Sequence, residues 1–290
     1  MPRPRIVRRL GSVLAIVVLA LVVLAVAIAV WQGGRTPTGK PEYVALGSSF
    51  AAGAGLGKLQ KDSPLLCARS VNGYPQQLAR MRGLSIVDTS CGGAITKHIL
   101  QGGQYFQRPQ MRTLTADTRL VTITSGGNDI GYVGDLGLLA ARKTHTPLGW
   151  LVRRLWKGPK PPAQRDFAGL QNELLATLKA VHARAPKAVI VVATYPTILP
   201  ASGTCPVLLM SAAEAGVMHQ VGDQLAATTR SAAAQGGAIL VDMNALGAAH
   251  NACSSAPWTR GWTNGGAAPF HPTLLGATAT AEAVAAELKP

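Results

Sequence analysis

Two neighbouring hydroxyl side chains, Ser48 and Ser49, follow a short apolar run. The run at 43–46 predicts a buried strand, and Gly47 permits a tight turn after it. Serine is a favoured helix N-cap, so one interpretation is that these hydroxyls only begin a helix. The other interpretation is that one of them is a nucleophile for acyl transfer. That chemistry also requires an imidazole that takes the hydroxyl proton and N–H donors that face the developing oxyanion.

Candidates for these partners lie in loops far along the chain. His271 stands between Pro269 and Pro272, which restrict the backbone around its ring. Two glycine-rich stretches, SCGGA at 90–94 and SGGND at 125–129, follow apolar runs, and their small residues let backbone N–H groups approach a ligand. The cysteines and histidines show no spacing typical of a metal site. We therefore expect neither a metal nor a cofactor.

The elements expected to position these residues are strands that alternate with helices. Apolar, β-branched runs alternate with segments rich in Ala, Leu, Glu and Gln, which predicts an α/β fold with a parallel sheet between helices. Ligands of such sheets bind at the carboxyl ends of the strands, where the glycine-rich loops lie. The predicted strands are 43–46, 84–87, 120–124, 188–193 and 238–241, and the predicted helices include 74–81, 167–183, 211–235 and 277–288.

Four stretches in this order resemble the sequence blocks of the SGNH hydrolases, also called the GDSL esterase/lipase family, and especially their secreted bacterial lipase-like branch. GSS at 47–49 is similar to the Gly-Asp-Ser block, and SCGGA to the block of the oxyanion glycine. GGND at 126–129 matches Gly-x-Asn-Asp, and His271 matches the histidine of Asp-x-x-His. The resemblance implies a three-layer α/β/α sandwich with a mainly parallel five-stranded sheet, an SGNH/flavodoxin-like architecture, over residues 42–290.

The resemblance also implies a reaction and a role for each matched residue. The chain would be a serine esterase or lipase that hydrolyses carboxylic esters through an acyl-enzyme. Ser49 would be the nucleophile, and His271 first the general base and then the general acid. The oxyanion hole would be formed by the backbone N–H groups of Ser49 and Gly93 and by the side-chain amide of Asn128, with Gly92 as an alternative to Gly93.

Two positions depart from the family pattern. Ser48 replaces the Asp of the first block, and Ala268 replaces the Asp three residues before His271. Without that carboxylate another group must accept the Nδ1 proton, and we expect the backbone carbonyl of Ala268 to do so in a Ser-His dyad. The departures leave open a degenerate ligand-binding module that has lost turnover. The same chemistry would also serve an acyltransferase or a deacetylase on envelope glycans or glycolipids.

The N-terminus predicts export. A basic leader at 1–12 precedes an apolar segment at 13–31 that is long enough to span a bilayer, and this charge order places the leader in the cytoplasm. We expect an uncleaved signal-anchor, with a cleaved signal peptide as the alternative. The next segment, 32–41, predicts a flexible linker. The domain would then face the outside of the cell membrane, or be secreted if the segment is cleaved.

The four cysteines agree with an oxidising compartment. Three connectivities are possible, and we favour Cys67–Cys91 with Cys205–Cys253 because each pair closes a local loop. Stretches around Cys67 and Cys253 also resemble regions near disulfides in the lipase-like branch.

The formal net charge of +15 raises the question of an anionic partner. Nucleic acid is not expected, because no nucleic-acid-binding motif is present. A basic amphipathic segment at 148–157 predicts either a lid or patch on anionic headgroups, or a helix packed on the domain with a solvated basic face. We expect a monomer whose partners are an ester or lipid substrate and the membrane.

Overall fold

A central parallel sheet organises the part of the chain that this computed structural model describes, residues 5–35, 41–265 and 268–288. Within those residues the sheet has five strands in the order β2-β1-β3-β4-β5. Chain order reverses between β1 and β3, and ligands of doubly wound sheets bind beside such a reversal. The strands are β1 (Tyr43–Gly47), β2 (Ile86–Asp88), β3 (Leu120–Thr124), β4 (Val189–Ala193) and β5 (Ile239–Val241).

Helices cover both faces of this sheet. The helices are α1 (Arg5–Gly34), α2 (Ser49–Ala52), α3 (Tyr74–Arg82), α4 (Thr96–Gln101), α5 (Tyr132–Ala141), α6 (Pro147–Leu155), α7 (Phe167–Arg184), α8 (Ala212–Gln235), α9 (Met243–Leu246) and α10 (Leu274–Glu287).

Alternate residues of the strands face two different apolar layers. Tyr43 and Ala45 of β1 pack in the layer that includes α3 and α10. Val44 and Leu46 pack in the opposite layer with residues of α4 and α7. Because side chains alternate across a strand, a strand that is apolar at every position must be covered on both faces. The predicted three-layer α/β/α sandwich is therefore confirmed.

Two disulfides hold the loops at the carboxyl edge of the sheet. The structure contains Cys67–Cys91 and Cys205–Cys253, the pairing favoured from the sequence. Cys91 lies in the loop after β2, so the first bond fixes the loop that carries Gly93. The Gln107 side-chain amide also donates to both sulfur atoms of this bond, at 2.7 and 3.2 Å.

Helix α1 is the N-terminal apolar segment. Within its stretch Ser12–Gly34, an 18-residue window has a mean hydropathy of 3.5 and no buried residue, which suits a signal sequence or a membrane anchor. The helix continues to Gly34, three residues into the segment predicted as a linker at 32–41, so that boundary was wrong. The extension is stabilised by contacts of Gln32 and Gly33 with the domain. Residues 1–4 of the predicted leader and 36–40 of the predicted linker lie outside the described residues.

Candidate active site

Ser49 is the first residue of α2 and lies directly beyond the carboxyl end of β1. Gly47, the last residue of β1, has a φ of +133°, and a Cβ there would lie 2.2 Å from the carbonyl oxygen of Thr124. Only glycine therefore permits this close approach to the end of β3. Ser48 N then donates to the same Thr124 oxygen at 2.9 Å. These contacts place Ser49 at the reversal point between β1 and β3.

His271 meets Ser49 from the other end of the chain. Its Nε2 lies 2.8 Å from Ser49 Oγ, and its Nδ1 lies 2.8 Å from the carbonyl oxygen of Pro269. A carbonyl only accepts hydrogen bonds, so Nδ1 carries the proton and the Nε2 lone pair accepts from the Ser49 hydroxyl. The structure thus brings together the hydroxyl and the imidazole that the sequence singled out.

The acceptor of the Nδ1 proton is Pro269 and not the predicted Ala268. Phe270 has a φ of +60°, and this left-handed residue turns the chain between Pro269 and His271. The turn brings the Pro269 carbonyl, two residues before the ring, within hydrogen-bond distance. The structure thus has a backbone carbonyl in place of a carboxylate, and this carbonyl belongs to Pro269, one residue after the predicted Ala268.

The predicted oxyanion donors lie in the loops after β1, β2 and β3. Neither Ser49 N nor Gly93 N donates a hydrogen bond to another group of the described chain, and Gly93 is exposed. Asn128 Nδ2 donates to the Ala94 carbonyl at 2.9 Å, which leaves the second N–H of that amide for a ligand. The Asn128 loop is therefore tied to the Gly93 loop.

A further hydrogen bond joins the β1 and β2 loops, because Cys91 N donates to the Gly47 carbonyl at 3.0 Å. The adjacent carboxylate, Asp129, accepts from Thr96 N at 2.9 and 3.1 Å, and burial raises its pKa. These hydrogen bonds join the Asp129 side chain to the start of α4 and hold the loop.

Comparison with known proteins identifies the family of this arrangement. The family model described as GDSL-like lipase/acylhydrolase matches residues 45–279. The chain belongs to this family. A lipase of Streptomyces rimosus is 31% identical to this chain, over 81% of this chain and 82% of the lipase. Lipase 2 of Streptomyces coelicolor is also 31% identical, over 97% of each chain.

Solved structures give the same result for the fold. The crystal structure of the extracellular lipase of Streptomyces rimosus has a TM-score of 0.66 and 28% identity, over 84% of this chain and 97% of that one. Phospholipase A1 from Streptomyces albidoflavus NA297 has a TM-score of 0.65 and 26% identity over the same shares. The family inferred from the four blocks is confirmed, and the GDSL chain is a carboxylic ester hydrolase of the lipase and esterase type.

Ser48 has a different role from the Asp that the GDSL family carries at this position. Ser48 is fully buried, and its Oγ lies 2.6 Å from the phenolic oxygen of Tyr195. The same phenolic oxygen accepts from Gly127 N at 3.3 Å. A Cβ on Gly127 would lie 2.9 Å from ring carbons of Tyr195, so this glycine allows close packing on the ring. Tyr195 thereby fixes the Ser49 and Asn128 loops against each other.

Sequence reasoning missed Tyr195 and Gln110. The Gln110 side chain accepts from Gly47 N at 2.8 Å and donates to Gly47 O at 2.9 Å. Strand β2 ends at Asp88, whose partner is Ala45, so Gly47 has no neighbouring strand on that side. The side-chain amide takes the place of the missing strand. An isolated glutamine or tyrosine carries no sequence signal for such a role, although Tyr195 does follow a predicted strand.

Burial of His271 lowers its pKa, because the charged imidazolium is desolvated. The Pro269 hydrogen bond acts in the opposite direction, and the positive charge of Arg260 lowers the pKa further. The net result is a pKa below the ordinary value of 6.5. A neutral carbonyl also stabilises an imidazolium less than the family's carboxylate does.

This pKa predicts the acid limb of the pH profile. Protonated His271 cannot accept the Ser49 proton, so kcat/KM falls as the pH drops through the pKa of the imidazole. Because that pKa is lowered, we expect the limb to lie below pH 6.5 in a profile with a soluble ester. Arg260→Gln should move the limb to higher pH by removing a nearby positive charge.

Arg119→Gln is the matched control for the pH profile. Arg119 is exposed and lies at the amino end of β3, at the opposite edge of the sheet, and its loss changes the net charge equally. The acid limb of the Arg119→Gln profile should lie at the same pH as that of the parent. Equal shifts in both variants would show a general charge effect and contradict the assignment to Arg260.

Helix α6 presents apolar side chains to solvent. Among its residues only Gly149 and Val152 are buried. Its N-cap is Thr146, whose side chain accepts from Gly149 N. Four large apolar side chains are exposed by 45–70%: Leu148, Trp150, Leu151 and Leu155. The helix therefore contacts the domain through Gly149 and Val152, and most of its apolar side chains stay exposed.

A cavity of about 920 Å³ lies beside the segment that follows α6. Asn128, Trp156, Lys157 and Lys160 are among the residues that line it. The insertion therefore flanks the Asn128 side of the site. Ser49 and His271 do not line the cavity.

Proposed function

We propose that this GDSL chain hydrolyses carboxylic esters of lipids through an acyl-enzyme on Ser49. The observation that carries the proposal is the 2.8 Å contact between Ser49 Oγ and His271 Nε2, with the tautomer set by Pro269. In this tautomer the imidazole is ready to accept the hydroxyl proton, which is the requirement for an activated serine.

The proposed reaction uses each group at a defined atom. Ser49 Oγ attacks the ester carbonyl carbon while His271 Nε2 takes the hydroxyl proton. The resulting oxyanion accepts hydrogen bonds from Ser49 N, Gly93 N and Asn128 Nδ2. The C–O bond to the alcohol then breaks, and Nε2 returns the proton to the leaving oxygen. A water molecule attacks the acyl-enzyme by the same route and releases the acid and free Ser49.

The departures at Ser48 and Ala268 do not favour a degenerate binding module. The buried Ser48 hydroxyl is bonded to Tyr195, and Pro269 accepts the Nδ1 proton in place of a carboxylate. The Ser48 hydroxyl and the His271 ring therefore each have a partner that holds them in place. This arrangement supports turnover by a Ser-His dyad.

A lipid ester as substrate is supported by the surface around the site. The apolar side chains of α6 are exposed next to Arg153, Arg154 and Lys157, a pattern typical of helices that lie on anionic membranes. One structural relative is a phospholipase A1. We propose that α6 rests on headgroups, and that α1 remains as an uncleaved anchor with the domain outside the cell membrane.

Labelling with a fluorophosphonate probe tests the proposed nucleophile. We expect one covalent adduct, located by mass spectrometry on the peptide that contains Ser49. Acidification below the pKa of His271 should slow the labelling, because the probe reports the activated hydroxyl. A folded protein that remains unlabelled, or that is labelled at another residue, contradicts the proposal.

A further inference from the structure

The last turn of α1 is seated on the catalytic domain. Gly33 is buried, and a Cβ there would lie 2.6 Å from the Tyr105 carbonyl oxygen and 2.8 Å from Phe106 backbone atoms. The backbone of the helix therefore touches the backbone of this turn. Gly34 is exposed and has no atom within 4 Å of its Cβ position. The contact is thus made by one side of the helix.

Two hydrogen bonds add to this contact. Leu65 N donates to Gln32 Oε1 at 3.0 Å, and the Arg112 guanidinium donates to the Arg35 carbonyl at 3.0 Å. The end of α1 is therefore held by three separate segments of the domain. A freely moving domain on a flexible tether would make none of these contacts.

The segments that hold α1 also hold the candidate oxyanion loop. Gln104 Nε2 donates to the Gly92 carbonyl at 2.7 Å, and Gly92 N donates to the Cys67 carbonyl at 2.9 Å. The Tyr105 hydroxyl lies 3.6 Å from the Cβ position of Gly93. The same two turns carry large exposed side chains, which we call the apolar rim: Leu65, Leu66, Tyr105 and Phe106.

The length of α1 fixes the level of the rim relative to a bilayer. The 23 residues of Ser12–Gly34 extend about 34 Å, slightly more than the hydrocarbon thickness of about 30 Å. Trp31 is exposed near the end of the helix, where aromatic residues mark the membrane interface. Gly33 and the turns that touch it therefore lie at the outer headgroup level when α1 spans the membrane.

We propose that the apolar rim is a membrane-contact surface, and that α1 holds the candidate oxyanion loop against the bilayer in which it is itself anchored. The occupant of the rim is the outer leaflet, and the substrate is a lipid ester of that same leaflet. The inference rests on the proposed anchor and on the proposed ester hydrolysis. An apolar patch continuous with a spanning helix is buried in the interface rather than left in water.

Full-length protein reconstituted in vesicles of phosphatidylglycerol and phosphatidylcholine tests the inference. The measured quantity is the rate on lipids of the carrying vesicle divided by the rate on a soluble short-chain ester. Gly33→Val places a side chain against the Tyr105 carbonyl and should lower this ratio roughly tenfold, since a small displacement from the substrate is costly. Gly34→Val is the matched control, and its ratio should equal the parent's.

A second pair of variants tests the rim without altering the helix. Phe106 is 56% exposed with a φ of +61°, a conformation that asparagine tolerates well. Phe106→Asn should lower the ratio severalfold. Val189→Asn, an exposed apolar position at the amino end of β4, should not.

The outcomes separate the inference from the proposals beneath it. An intact mass that lacks the apolar segment contradicts the anchor, and with it the rim. An intact chain without turnover of the soluble ester contradicts the proposed hydrolysis. An anchored and active chain whose ratio is equal in all four variants contradicts the membrane-contact surface alone.

Discussion

Ser49→Ala is expected to lower kcat by roughly 10³- to 10⁶-fold, the range found when a serine nucleophile is removed. The contact of Ser49 Oγ with His271 Nε2 is what makes this hydroxyl reactive. The neighbouring hydroxyl cannot replace it, because Ser48 Oγ is bonded to Tyr195 inside the protein. The rate on a soluble chromogenic ester measures the loss, and the fluorophosphonate adduct should disappear with it.

Ser48→Ala is the control for this prediction. The substitution removes one partner of the buried Tyr195 phenol, which still accepts from Gly127 N. We expect a free energy of unfolding lower by about 1 kcal/mol, with most of kcat retained. Both variants should stay folded, as measured by thermal melting. An equal loss of kcat in the two variants would contradict the assignment of Ser49 as the nucleophile.

The parts of the fold that follow from local patterns could be predicted from the sequence. Strand β3 was predicted with its observed bounds, because its apolar run ends abruptly at the polar SGGND loop. Strand β2 was predicted at 84–87 instead of Ile86–Asp88, so it starts two residues and ends one residue too early. Leu84 is apolar, but its N–H is bonded to the carbonyl of Ala79 at the end of α3.

The parts that depend on contacts between distant segments could not be predicted. The choice of Pro269 over Ala268 depends on the left-handed backbone of Phe270, a bulky residue with no propensity for it. The extension of α1 to Gly34 depends on the turn at Phe106. A glycine pair after an apolar run is interpreted as a linker unless a partner surface is known.

The missing carboxylates have a common consequence for the site. In the family pattern a carboxylate orients the histidine, whereas here the neutral Pro269 carbonyl orients the ring. The neutral Tyr195 phenol holds the neighbouring loops. Neutral partners fix geometry but stabilise a positive imidazolium less well. More of the barrier must therefore be lowered at the oxyanion, where Asn128 is the side-chain donor.

Asn128→Ala is accordingly expected to lower kcat by about 10²- to 10³-fold, the loss typical of one oxyanion donor. KM should change little, because the free N–H of the amide acts on the charge that develops in the transition state. Steady-state kinetics with a soluble ester separates the two constants. A rise in KM at constant kcat would assign Asn128 to ground-state binding and contradict its role as a donor.

Asp129→Asn distinguishes this role from an effect on the loop. Asn128 also donates to the Ala94 carbonyl, so its removal loosens the Gly93 loop as well. In the Asp129→Asn variant the carbonyl oxygen of the new amide still accepts from Thr96 N, so this variant should retain most of kcat. If the loss in Asn128→Ala came only from loosening of the Gly93 loop, the ratio of its kcat to that of the parent would rise at lower temperature, where the loop is better ordered. A kcat that stays low while the loop is ordered therefore identifies the missing N–H as the cause.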